Sequence, residues 1–290
     1  MPRKAVAVGN ATFTPPSRYA QLTNDHAFKK AFATEGDEEQ LAKMLNVFLE
    51  KKLAHPIKNV TIKNPYMPGE MKKNRDAVLD INCEDTKGNK FIVEMQVNPQ
   101  KLFVKRAIFY TGVSIAKSGK KGKNWDFNFP NTYSLNFLDF EPYLEGNHNN
   151  IIRYVSLHDD DYPEIKYDYI GLAFIILPRF KKAVEKCLSF QDQLLFSLRY
   201  AHTLGSKPKH FKGKFFDRLF DLAKFSNFTD MEYSLYTARM MAKADRKAQL
   251  EYAEEKGVIR VARNMLKEGS NLAFIARVTN LPKEQIIALR

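Results

Sequence analysis

The chain has 290 residues, 44% hydrophobic and 12% aromatic, enough for a large packed domain with appendages and too apolar for a disordered tail. Lys and Arg number 46 against 33 Asp and Glu, a net +13 that favours an anionic partner such as nucleic acid. Only two cysteines are present, Cys83 and Cys187, which excludes a disulfide framework and a zinc-finger spacing. The most apolar run, 169–177, is too short to span a bilayer and stops at Pro178. The first residues show no signal-like apolar region. A cytoplasmic protein without a membrane partner is therefore expected.

Residues 1–20 hold Pro2, Gly9, Pro15 and Pro16 without periodicity and read as an N-terminal extension. Thr23 or Asn24 can cap a helix beginning at Asp25, whose Ala27, Phe28, Ala31 and Phe32 share a face. A second helical pattern covers Leu41, Met44, Leu45, Phe48 and Leu49, and Val60-Thr61-Ile62 reads as a first strand.

The stretch 76–97, DAVLDINCEDTKGNKFIVEMQV, predicts a β-hairpin, with strands Val78–Cys83 and Lys90–Val97 around turn-forming residues 84–89. Parity places Ala77, Leu79, Ile81, Cys83, Phe91, Val93, Met95 and Val97 on one apolar face. Asp80, Asn82, Glu94 and Gln96 fall on the other face. A turn centred near Lys87 sets Asp80 opposite Glu94. Two carboxylates directly opposed on a sheet repel. Either a divalent cation such as Mg²⁺ compensates, as suits hard oxygen ligands, or this face is the wet side of an antiparallel sheet.

Residues 101–117 turn helical, and no Asp or Glu occurs between Glu94 and Asp126, while seven Lys or Arg do: Lys101, Lys105, Arg106, Lys117, Lys120, Lys121 and Lys123. A basic helix and loop directly after an acidic pair suit a metal-dependent enzyme acting on a polyanion. Residues 132–140, 151–157 and 170–177 predict three further strands, giving a mixed α/β layer. Helices follow at 191–204 and 215–225. Thr229-Asp230-Met231-Glu232 opens a long helix to about Glu268 with a capping box, interrupted at Gly257. Two short helices, 272–278 and 283–289, are joined by Thr279-Asn280-Leu281-Pro282 in the manner of a helix-turn-helix. That segment suits DNA contact, packing or oligomerisation.

Other chemistry finds little support. Gly112 leads to Lys117-Ser118 without the second glycine of a phosphate-binding loop. The six histidines show no paired-ligand spacing, His148 in GNHNN included, and Asp159-Asp160-Asp161 reads as a solvated acidic turn.

Three stretches, TNDHAFKKAF (23–32), NRDAVLDINCEDTKGNKFIVEMQ (74–96) and RAIFYTG (106–112), resemble the Rpn family of recombination-promoting nucleases, also described as PD-(D/E)XK nuclease family transposases. The tail 254–286 is similar to theirs as well. The resemblance implies a restriction-endonuclease-like PD-(D/E)XK core at 21–180, a mixed sheet flanked by helices, followed by a helical extension at 181–228. A long helix with a helix-turn-helix-like end would occupy 229–290. It implies a Mg²⁺-dependent endodeoxyribonuclease, with Asp80, Glu94 and the Met95 carbonyl as metal ligands and Asp80, Glu94, Gln96 and Asp25 as the catalytic set. Gln96 stands where the wider superfamily has lysine, so the site lacks that cation. DNA would meet Arg75, Lys105, Arg106 and Tyr110. The rival expectations are a catalytically weak nucleic-acid-binding protein on the same fold and a homo-oligomer built through the C-terminal helices.

Overall fold

The computed structural model describes residues 17–67, 77–119, 125–142 and 149–289. Arg75, His148, Lys120, Lys121, Lys123 and residues 1–16 of the extension lie outside the described residues. By contacts the chain divides into two units, one reaching to Thr237 and one from Ala238 onward.

In the first unit, α1 (Asp25–Phe32) starts where Asn24 accepts hydrogen bonds from the N–H groups of His26 and Ala27, which satisfies donors that a helix start leaves open. Its apolar stripe, Ala27, Phe28, Ala31 and Phe32, is buried. Helix α2 (Glu38–Leu49) adds Leu41, Met44, Leu45, Phe48 and Leu49 to the same core. The strands are β1 (Val60–Lys63), β2 (Tyr66–Met67), β3 (Ala77–Val78), β4 (Ile81–Asp85), β5 (Lys90–Gln96), β6 (Thr132–Leu138), β7 (Ile152–His158) and β8 (Lys166–Ile176). Six of them form one mixed sheet in the order β1-β4-β5-β6-β8-β7, and β2 pairs with β3 apart from it. Strands β1, β4 and β5 are antiparallel, β5, β6 and β8 parallel, and β7 returns antiparallel at the edge. The crossover from β5 to β6 carries α3 (Phe103–Ala116), since parallel neighbours need a long connection. This is the expected mixed sheet flanked by helices, with α1 and α2, three antiparallel strands, α3 and a fourth strand in order.

The core gains most from aromatic packing. Phe28 and Phe48 both meet Phe137 of β6, with ring centroids 5.7 and 5.2 Å apart, and each such buried side chain contributes roughly 1.5–3 kcal/mol. Tyr133 stacks on Phe91 at 5.5 Å and leans over Gly171 of β8, where a Cβ would come within 2.9 Å of its ring. Helices α4 (Phe190–Tyr200) and α5 (Lys214–Ala223) place Leu194, Leu198, Phe216 and Phe220 in that same cluster.

Helix α6 (Asp230–Lys267) opens with the expected capping box: Glu232 N–H donates to Thr229 Oγ1 at 3.2 Å and Thr229 N–H to Glu232 Oε2 at 2.7 Å. Its first turns join the first unit. Asn24 Nδ2 donates to the Tyr236 carbonyl, and Lys30 pairs with Glu232 at 2.5 Å. The helix is continuous through Gly257, against the expected interruption. One glycine costs a helix only about 1 kcal/mol, and its neighbours Ala253, Glu254, Glu255 and Lys256 are good helix formers.

In the second unit, α7 (Leu272–Thr279) and α8 (Lys283–Ile287) close a small cluster of Ala262, Ile275 and Ile286 with Met265, Leu266 and Leu281. Asn280 takes the left-handed conformation at the turn, φ 55°. No helix among the described residues is long and apolar enough to cross a membrane.

Candidate functional site

The β4–β5 turn sets the register on which the site depends. Asp85 Oδ1 accepts from the N–H groups of Lys87 and Asn89, both at 2.9 Å, and Gly88 takes φ 84°, a conformation glycine adopts without strain. Glu84 then pairs with Lys90 and Ile81 with Val93, so the same register sets Asp80 level with Glu94. The expected strand 78–83 is nevertheless broken. Ala77 and Val78 pair with β2, and Leu79 N–H donates to the Pro65 carbonyl at 3.0 Å. Leu79 packs with Ile92, Tyr110 and Val113, while Ile81 enters the main core. A regular strand would set residues 79 and 81 on one face; the break sends Leu79 under α3.

That break frees the backbone where the ladder would have continued. Asp80 N–H donates to Glu94 Oε1 at 3.3 Å, and Met95 N–H donates to Asp80 Oδ2 at 2.7 Å. Side-chain carboxylates thus replace backbone partners at the open end of β5. The Gln96 carbonyl accepts from Asp139 N–H at 2.8 Å on the β6 side. Alternation therefore turns the Met95 carbonyl to the other edge, toward Asp80.

Around this pair the neighbouring side chains are cationic or amide, apart from the carboxyl of Asp25 beside Asp80. Arg106 Nη2 lies 3.3 Å from Glu94 Oε2, and its Nη1 donates to Gln100 Oε1 at 3.0 Å. Its guanidinium also sits over the Tyr110 ring, 5.1 Å from the centroid. Gln96 Nε2 donates to Glu94 Oε2 at 3.1 Å, and Gln100 Nε2 to Gln96 Oε1 at 3.4 Å. From α1, Lys29 Nζ reaches Asp25 Oδ1 at 2.7 Å and Asp80 Oδ1 at 3.5 Å.

The Glu94 side chain is only 3% exposed and that of Asp80 17%. Burial, and then the charge of Asp80, push the Glu94 carboxyl up to about 8. Burial also raises Asp80, against the Met95 N–H bond and Lys29. Lys29 is itself raised: its burial is outweighed by the bond to Asp25 and the charges of Asp80 and Asp25. Two carboxylates forced together in a dry place resist double ionisation.

The expected residues fare unequally. Asp80, Glu94, Met95, Gln96 and Asp25 converge at the hairpin end. Arg106 and Tyr110 are adjacent, but the guanidinium is turned to Glu94 and the Tyr110 ring packs on Leu79 and Ile92. Lys105 is exposed and does not converge with them, because consecutive helical residues point about 100° apart. Lys29, Gln100 and Asp139 were not singled out in the sequence. Only Lys29 had a signal, its position four residues after Asp25, where opposite charges pair on a helix.

The donor set fits a hard divalent cation. It offers two carboxylates and a backbone carbonyl, and the Glu94 carboxyl, raised by burial and then by the charge of Asp80, is one whose ionised form such an ion would favour. Among the described residues no three His, Cys, Asp or Glu side chains form a complete protein cage; Mg²⁺ sites commonly use one or two carboxylates and keep several waters.

No curated protein and no solved structure matches the chain. A family description does match over most of its length, including every described element of the site, and on that ground the chain belongs to the PD-(D/E)XK nuclease family transposases, matched over residues 22–253.

Proposed function

We propose that the protein is a metal-dependent DNA endonuclease whose chemistry resides at the open end of β4 and β5. The observation that supports this reading most is the main-chain N–H of Asp80 bonded to the Glu94 carboxylate at 3.3 Å, which keeps two carboxylates near each other where burial alone penalises them. Asp80, Glu94 and the Met95 carbonyl would hold Mg²⁺ or another divalent cation. When bound, that cation would stabilise charge on the phosphoryl oxygens and lower the pKa of a water.

The chain's own residues do the rest. Gln96 fixes the Glu94 carboxylate through its amide and can orient an attacking water, but it supplies no positive charge. Lys29 supplies one from α1: it links Asp25 to Asp80, favours the ionised form of Asp80 against its burial, and positions it. Arg106 balances Glu94 and carries further donors suited to a phosphate oxygen. An association with recombination or mobile elements rests on the family description alone.

A second reading, a nucleic-acid-binding protein that cuts poorly, draws on two observations. Gln96 stands where a lysine is expected, and both nearby cations are already turned to carboxylates. Supercoiled-plasmid cleavage separates the two. With Mg²⁺ the wild type is expected to nick or linearise the plasmid, while Asp80→Ala, Glu94→Ala and EDTA each abolish it. Cleavage that survives both substitutions refutes the proposed site. Salt-sensitive binding without cleavage favours the second reading.

A further inference from the structure

The even-numbered row of β5, namely Gln96, Glu94, Ile92 and Lys90, faces a single stripe of α3. That stripe is Arg106, Tyr110, Ser114 and Lys117, each three or four residues after the last. The two elements run antiparallel and are tied at both ends. At one end Arg106 meets Glu94 at 3.3 Å. At the other, Lys90 Nζ donates to Ser118 Oγ at 2.7 Å and to the Ser114 carbonyl at 3.4 Å. The lengths agree: Glu94 to Lys90 spans ~13 Å of strand, and Arg106 to Ser114 ~12 Å of helix. Leu79, Ile92, Tyr110 and Val113 fill the middle.

The far end of this seam opens into a cavity of about 220 Å³ lined by Lys63, Asn64, Asn82, Lys90, Ser114 and Lys117. Among the described residues Glu84 is the single carboxylate in the lining, 3.9 Å from Lys63, against the three lysines Lys63, Lys90 and Lys117. Lys90 has a structural task at the C-terminal end of α3, where a cation suits the helix dipole. Lys117, the C-cap residue of α3, stands at the same helix end but without the Lys90 hydrogen bonds, and Lys63 lies on β1 apart from it. Lys117 meets no carboxylate among the described residues, and Lys63 is half exposed with only the long contact to Glu84. Asn82 donates through its amide to the Asn64 carbonyl at 3.1 Å, which holds the wall of the cavity closed on that side. The volume admits a phosphate group with several waters, each of which claims ~30 Å³.

We propose that this cavity is a phosphate subsite for the DNA strand whose scissile phosphate lies at Asp80 and Glu94, with Lys63 and Lys117 as its cations. The inference rests on the endonuclease reading, and it sets a distance. The Lys90 end of the seam lies ~13 Å of strand from Glu94, a span of a few nucleotides for phosphates that rise ~3.4 Å per step along the axis while winding about it. A substrate must therefore extend that far to one side of the cut to gain from it.

The test measures equilibrium binding of a fluorescein-labelled 20-base-pair duplex in EDTA across a salt series. It compares the wild type, the double variant Lys63→Ala/Lys117→Ala, and a control double variant Lys182→Ala/Lys186→Ala. Lysines that are exposed, or partly exposed as Lys117 is, are removed without unfolding, and circular dichroism checks that. The expected result is binding at least about five-fold weaker, with a log–log salt slope shallower by about 1.8, in the Lys63/Lys117 variant alone. A slope equal to wild type, an equal loss in the control variant, or no duplex binding by wild type overturns the subsite. Plasmid cleavage run in parallel keeps the two readings apart. A changed slope in a protein that never cuts retains the subsite and rejects the nuclease, whereas cutting with an unchanged slope does the reverse.

Discussion

The two faces of the β4–β5 pair obey different physics although they share one backbone. On the odd face Ile81, Cys83, Phe91 and Val93 are fully buried against α1, α2 and the rest of the sheet. Position by position, that face is set by volume. On the even face an acidic end with Glu94 and Gln96, an apolar middle at Ile92 and a basic end at Lys90 follow within one strand. No packing demand produces that order. The burial of Glu94 costs free energy that hydrophobic contacts nearby must offset, and tolerated costs of this kind concentrate at functional sites. The odd face teaches how the site is held, and the even face what it is for.

Breaking the odd face should have the largest effect on stability and the least specific effect on function. Phe91→Ala removes a ring with no exposure that stacks on Tyr133; urea unfolding is expected to show a loss of about 3–5 kcal/mol.

Breaking the even face should do the opposite. Glu94→Gln is expected to lower the cleavage rate by about 10³-fold or more, the loss of several kcal/mol of charge stabilisation, while the metal-free protein gains stability. The sign follows from the raised carboxyl. Between about 4.5 and about 8 the folded state keeps a proton that the unfolded chain has lost, so wild-type stability falls as pH rises through that window. In EDTA the advantage of Glu94→Gln in urea midpoint should therefore be larger at pH 8 than at pH 5. An advantage that shrinks with rising pH would contradict the assignment.

Lys29→Met sharpens the contrast, because this residue touches Asp80 from α1 and lies outside the hairpin. A rate lower by about 10²-fold is expected, together with an acid limb of the pH–rate profile moved upward, since the Lys29 charge lowers the Asp80 carboxyl against its burial. Lys29→Arg should restore much of both. A loss of rate with no change in the profile would leave Lys29 a merely structural role. The smallest effect is expected from Lys105→Ala. It is exposed on α3 away from the carboxylates, so duplex binding should weaken by about two-fold with cleavage of bound substrate unchanged.

Much of the hairpin was legible in the sequence because alternation and turn chemistry are local. Asp85, Gly88 and Asn89 fix the register, and the register sets Asp80 against Glu94. The break at Leu79 was not legible: its parity agrees with Ile81, and only the arrival of α3 on the other face gives Leu79 a better place to pack. Lys29 escaped notice for a related reason. Its partner Asp80 stands 51 residues away in sequence, and no periodicity links α1 to a hairpin end. Arg106 was found, but its partner was not, because a side chain's direction depends on which strand its helix lies across. Gly257 misled in the opposite sense, as a residue that permits a break without causing one.

The account stands or falls on whether Asp80 and Glu94 together hold a divalent cation. Isothermal titration of the full chain with Mn²⁺ is the most direct measurement, comparing wild type with Asp80→Ala and Glu94→Ala, each checked for folding by circular dichroism. The account predicts one site per chain in the wild type and its loss in both variants, with Gln96→Ala retaining it. Unchanged binding in the two carboxylate variants, or none in the wild type, would contradict it.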